Sequence, residues 1–164
     1  MWGDSTLLKS AALQLKNVEK YLIAAEKLVT PYAWGNYDIL LTPVFEWGGM
    51  ENPHTNVYQE GQLDVLYHSY LDVHEIAHQW FGNILTYKNF EHFWLNEGLT
   101  TFLQSNIIAE VHGTAEQGLF EALQWDNLKR NLRTLEHEGK PWRALVNNLT
   151  GQIKRHFNFN TFYM

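Results

Sequence analysis

Apolar residues recur at three- and four-residue steps from Ser5 to Val29, where Leu8, Ala11, Leu15, Val18, Leu22, Ala25 and Val29 are spaced by Lys, Glu and Gln. That period predicts an amphipathic helix, with Ser5 as its amino-terminal cap and Pro31 ending it. The run Tyr37–Phe45 is short, apolar and partly β-branched, and Gly48-Gly49 closes it, which predicts a strand passing into a closely approached segment. Turn-forming residues dominate Asn52–Glu60. The helical period returns over Gln62–Phe81, with Gly82-Asn83 as a carboxyl cap, and again over Phe93–Val111 ahead of Gly113. A further helix is expected over Thr114–Glu138, with Leu119, Leu123, Leu128, Leu132 and Leu135 buried, before Gly139 and Pro141 break it. The expected class is mostly α with a small β element.

No repeat, low-complexity tract or linker divides the 164 residues, so residues 1–164 are expected to form a single domain. A hydrophobic share of 45% is enough for a sizeable core, and it argues against a disordered tail. The net charge of -6, with no run of like charges, provides no basic stripe to neutralise phosphates, so nucleic acid is not an expected partner. The opening MWGDSTLLKSAAL lacks the pattern of a leader, and no apolar run approaches the roughly 20 residues that span a bilayer. A soluble, cytoplasmic chain with no membrane partner is therefore expected. Because there is no cysteine, any metal must be held by His and carboxylate.

His74-Glu75-Ile76-Ala77-His78 is an HExxH pattern inside the expected helix over 62–81. A spacing of four puts both imidazoles on one helical face, where they can share one metal. Catalytic zinc takes three protein ligands and leaves a position for water, so a third ligand is needed. Glu97, early in the next helix, can supply it if that helix returns antiparallel; alone, it reads as a solvated helix carboxylate. Glu75 must stay off the metal to act as general base toward the water. In Gly48-Gly49-Met50-Glu51-Asn52-Pro53 the two glycines allow a substrate backbone to approach, and Glu51 can meet a free α-ammonium. Without the HExxH pattern the same residues would read as a turn.

These motifs, GGMENP at 48–53, HEIAHQWFGN at 74–83 and WLNEG at 94–98, in this order and spacing, resemble those of the gluzincin aminopeptidases. PYAWGNYDILL at 31–41 and HFWLNEG at 92–98 are most similar to the leukotriene hydrolase and aminopeptidase B branch. The resemblance implies a truncated, thermolysin-like zinc metallopeptidase catalytic domain that removes the first residue of a peptide with a free amino terminus. It implies one zinc ion on His74, His78 and Glu97, Glu75 as base, Glu51 as the anchor of the amino terminus, and Gly48, Gly49, Met50 and Asn52 along the substrate groove. His54, His68, His92, His112, His137 and His156 have no ligand spacing and are expected at the surface or in packing.

The chain also departs from that family. The family's amino-terminal β-rich domain and carboxyl-terminal helical domain are not expected within these 164 residues, and they contain no Tyr-x-Lys-Gly context for its oxyanion-binding tyrosine; Tyr163 sits at about the right distance but lacks the motif. A truncated product that binds zinc or a partner with little or no turnover is the alternative expectation.

Overall fold

The computed structural model describes residues 1–45, 48–59, 68–137 and Val146. Within them run α1 (Ser5–Gln14), α2 (Val18–Leu28), β1 (Asp38–Thr42), β2 (Gly49–Met50), β3 (Thr55–Gln59), α3 (His68–His78), α4 (Phe93–His112) and α5 (Thr114–His137), with a 3-10 turn at Phe90–His92 before α4. The expected class, mostly α with a little β, is the one observed.

The single helix expected over Ser5–Val29 is two helices. Its backbone tightens where Val18 N–H donates to Leu15 O at 3.1 Å, and the turn redirects the chain. Each half then serves a different core. Ala11 and Leu15 pack with Ile39, Leu41 and Tyr58 of the sheet, whereas Tyr21, Ala24 and Ala25 pack with α3 and α4. One continuous helix could not point its stripe at both. The cap is Asp4, not Ser5: its carboxylate accepts from Thr6 N–H at 2.8 Å, satisfying an orphan amide of the first turn.

β1 lies within the expected strand, but the segment expected as turns contains β3. The three strands are ordered β1-β3-β2, with β1 and β3 parallel from Asp38↔Thr55 to Thr42↔Gln59 and β2 antiparallel to β3 through Gly49↔Tyr58 and Met50↔Val57. β3 escapes a hydrophobicity pattern because its inward side chains are Asn56 and Tyr58. Gly48-Gly49-Met50 is thereby an edge of the sheet, and Glu51 leaves it at a fixed point.

α3 crosses beneath this edge, and every residue from Asp72 to Trp80 is buried. Val73, Ile76, Ala77 and Trp80 pack with Leu103, Ile107 and Ile108 of α4 and Phe120 of α5. Phe93–His112 matches the expected third helix closely, and Gly113 ends it at φ 93°. In α5 the burial expectation fails in part: Leu135 is buried, but Leu119 and Leu123 are about half exposed, at 53% and 47%. Phe120 is the residue of α5 that enters the core shared by α2, α3 and α4, and Leu119 and Leu123 stay outside it. Among the described residues no helix is long and apolar enough to cross a membrane.

Candidate metal centre and substrate-anchoring loop

Helical geometry brings the two imidazoles of α3 together, with ring centroids 4.6 Å apart and planes at 88°. Glu97 enters from the first turns of α4, which packs on α3. His78 Nε2 lies 3.0 Å from His74 Nε2, Glu97 Oε2 lies 3.2 Å from His74 Nε2, and the same oxygen lies 3.7 Å from His78 Nε2. All three side chains are buried.

The far side of each ring decides which nitrogen carries hydrogen. His74 Nδ1 lies 3.1 Å from Gln104 Oε1, an amide fixed by its own donation to Tyr70 O. His78 Nδ1 lies 2.9 Å from Phe81 O, and Thr100 Oγ1 donates to that same carbonyl at 3.0 Å. Both partners are acceptors, so both Nδ1 atoms donate. This directs the Nε2 lone pairs and the Glu97 carboxylate at one point, an arrangement that favours a shared cation. The donor set of two imidazoles and one carboxylate suits zinc and leaves room for water. In this respect the residues present fit the ion that the motif implies.

Electrostatics agree with that grouping. Burial works to raise the Glu97 carboxyl, but hydrogen bonds and charge from His74 and His78 outweigh it and hold Glu97 well below the usual carboxylate range. Burial opposes charge on His78 as well, yet Glu97 and Glu51 raise its pKa overall. Glu75 behaves oppositely. Burial pushes its carboxyl up to about 8, His74 pulls it down, and Glu51, Glu97 and Asp72 add to the rise. Its Oε2 is buried with no hydrogen-bond partner among the described residues. An unpartnered carboxyl oxygen beside the convergent ligand atoms is placed to exchange a proton with a group bound between them. Gly49 packs against this carboxylate; a Cβ there would overlap Glu75 Oε1, which is the close approach that requires glycine at that position.

Glu51 lies on the same side. One of its oxygens, one of Glu75's and a nitrogen of His78 lie within 4.8 Å of one another. His78 Nδ1, 3.8 Å from Glu51 Oε1, bears the hydrogen given to Phe81 O, so on that side His78 offers no lone pair for a cation shared with Glu51. Asn96 spans the two acidic groups, donating from Nδ2 to Glu51 Oε1 and to Glu97 Oε1, each at 3.3 Å. Gly82, at φ 114°, leaves space for the Asn96 amide where a Cβ would collide with it.

Of the residues singled out by sequence, His74, His78, Glu97, Glu75 and Glu51 converge on one centre. Gly48 and Gly49 border it through β2, Met50 is half-buried in β2, and Asn52 is exposed with its carbonyl turned toward Gln79. Tyr163 lies outside the described residues. Sequence reasoning missed Asn96, Thr100 and Gln104, which orient the ligands and Glu51. Their signal was available: Thr100 and Gln104 follow Asn96 at steps of four, a polar stripe on one helical face, and all three are buried. Among the other histidines, His54 and His112 lie at the surface, and His112 Nε2 meets Tyr21 OH at 2.9 Å.

Residues 13–163 match the Peptidase family M1 domain. Leucine aminopeptidase 2 of Vanderwaltozyma polyspora is 36% identical over 141 residues, covering 81% of this chain and 20% of that protein. Leucine aminopeptidase 2 of Aspergillus niger is 40% identical over 139 residues, covering 83% of this chain and 22% of that protein. A structure of yeast LTA4 hydrolase in complex with bestatin superposes with a TM-score of 0.75 at 34% identity, over 80% of this chain and 21% of that one. This chain therefore spans about a fifth of the length of the curated relatives it matches. Its fold is part of the LTA4 hydrolase fold. With the match extending over nearly all of its length, the chain belongs to peptidase family M1.

Proposed function

We propose that this chain carries the catalytic centre of a zinc aminopeptidase, which hydrolyses the first bond of a peptide bearing a free amino terminus. The carrying observation is the convergence of His74, His78 and Glu97 beside an unpartnered Glu75 oxygen, with the Glu51 carboxylate facing the same space. His74, His78 and Glu97 would hold one zinc ion, which when bound supplies positive charge that acidifies water and polarises a carbonyl.

The chain's own residues do the rest. Glu51 attracts the substrate's α-ammonium by a charge-assisted contact, and Asn96 keeps its carboxylate aimed. The outer edge of β2, with Gly48 and Gly49, offers backbone groups to an extended peptide, as sheet edges commonly do. Met50 and Asn52 border the same groove. Glu75 takes a proton from water as the new carbon–oxygen bond forms, then delivers it to the departing amine as the carbon–nitrogen bond breaks. The described helices and sheet act as one catalytic unit in this reading.

Glu75→Gln separates the roles. The amide keeps the size of the carboxyl but cannot accept the proton, so zinc content should stay at one ion per chain while peptide hydrolysis drops by about a hundredfold or more. Loss of zinc in step with activity would make Glu75 a ligand and contradict the assignment.

A further inference from the structure

Gln79 has no role in the proposed chemistry, yet it is fully buried directly after His78 and uses both ends of its amide. Its Oε1 accepts from His54 N–H at 3.1 Å. Its Nε2 donates to Asn56 Oδ1 at 2.8 Å and also faces the carbonyls of Asn52 at 3.4 Å and Glu51 at 3.5 Å. Its own carbonyl accepts from Trp34 Nε1 at 3.0 Å, so the residue is fixed from behind as well. Asn83, one turn further on, donates to Glu51 O at 2.7 Å.

These bonds close on a loop that needs holding. His54 is the one non-glycine residue with positive φ among the described residues, at 58°, a region that disfavours side chains. The backbone from Glu51 to His54 makes most of its polar contacts with Gln79 and Asn83. On the other side, Asn56 donates to Tyr58 OH at 3.2 Å and to Tyr37 OH, which ties Gln79 into the sheet.

We propose that Gln79, assisted by Asn83, is a positioning residue that latches the 48–54 loop to the turn directly after α3 and thereby fixes Glu51 relative to His74 and His78. The helix together with the turn that ends it then holds both ends of the gauge. Its histidines mark where the scissile bond must lie, and its next residues set where the α-ammonium is caught, so only the bond one residue in from the amino terminus reaches the centre. The side chain must be both donor and acceptor. Glutamate would face three oxygens without a hydrogen to give, and leucine would leave the His54 amide and the Asn56 carbonyl unpaired.

The specificity half of this proposal rests on Glu51 as the amino-terminal anchor; the latch itself does not. The test therefore has two readouts on the full zinc-supplied chain. Hydrogen exchange by mass spectrometry reports the 48–55 backbone, and calorimetry compares Leu-Gly-Gly with N-acetyl-Leu-Gly-Gly. In Gln79→Leu and in Gln79→Glu, exchange across 48–55 should accelerate by about tenfold or more. The preference for the free tripeptide should fall by about tenfold with zinc stoichiometry unchanged. Should Gln79→Leu fail to fold, Asn83→Ala, at a half-buried site, carries the test and should move both readouts in the same direction by less. Unchanged exchange in the folded variants overturns the latch. Faster exchange with an unchanged preference overturns its role in specificity, and loss of zinc in parallel with preference shows that Gln79 acts through the metal site instead. If the unmodified chain does not prefer the free tripeptide, the anchor role of Glu51 fails, and exchange alone decides the latch.

Discussion

Glu75→Gln in the metal-free protein should raise stability, by an amount that grows with pH. The wild-type carboxyl is 4% exposed, and burial pushes it up to about 8 from an ordinary 4.5. Below about 4.5 it is protonated in both folded and unfolded chains. Between about 4.5 and about 8 the folded chain keeps the proton while the unfolded chain releases it, so the unfolded state binds fewer protons and stability falls as pH rises. The contribution is fully present below the unfolded value and is lost as pH passes through the folded one. At pH 7, some two and a half units above 4.5, the cost to the wild type is roughly 3 kcal/mol at about 1.4 kcal/mol per unit. Glutamine has no proton to lose at that site, and the other titrating groups are common to both proteins. Urea unfolding in the presence of a chelator, from pH 4.5 to 8, should therefore show two curves that begin together and separate by roughly 3 kcal/mol at pH 7, with the variant more stable. Zinc should narrow the gap, because a cation beside the carboxyl favours its ionised form. Parallel curves would refute the reasoning and mean that Glu75 is solvated or paired in the folded chain.

Two other predictions concern the surroundings of the centre. Glu51→Ala removes a charge-assisted contact of roughly 1.5–3 kcal/mol, so affinity for a free tripeptide should fall by about tenfold to a hundredfold while an acetylated one changes little; calorimetry with both forms checks this. Gly82→Ala forces a side chain into a positive-φ position where its Cβ meets Asn96 Oδ1 and His78 Nδ1, and should cost about 2 kcal/mol or more and weaken zinc binding at least about tenfold, as read by urea midpoints and chelator competition. Gly118→Ala, with open space around its Cβ, should instead stabilise α5 by about 0.5–1 kcal/mol.

The centre was legible in sequence to the extent that helix geometry determines it. A four-residue step fixes the relation of His74 to His78, and Glu97 was identifiable because zinc needs a third donor and α4 can return to α3. What sets the surroundings depends on packing between distant segments, which periodicity does not encode. β3 was hidden because its inward positions are Asn56, buried against the Gln79 amide, and Tyr58, buried in the core against Ile39 and Leu41. The break at Leu15–Val18 was hidden because each half of the helical stripe is regular by itself, and only the presence of two cores separates them. Leu119 and Leu123 have helical spacing from Phe120's neighbours but no partner element among the described residues to cover them. Gln79 looked like one more residue of the motif, since its importance lies in a loop about 25 positions earlier in the chain.

The central claim is that three side chains from two helices make one metal site. Its most direct test is the zinc content and affinity of the purified, folded chain, measured by mass spectrometry and chelator competition for wild type, His78→Ala and Glu97→Ala. The account predicts one zinc ion per chain in the wild type and loss of tight binding in both variants, with each still folded by circular dichroism. A folded wild-type chain that takes up no zinc, or one whose zinc survives both substitutions at undiminished affinity, would contradict it.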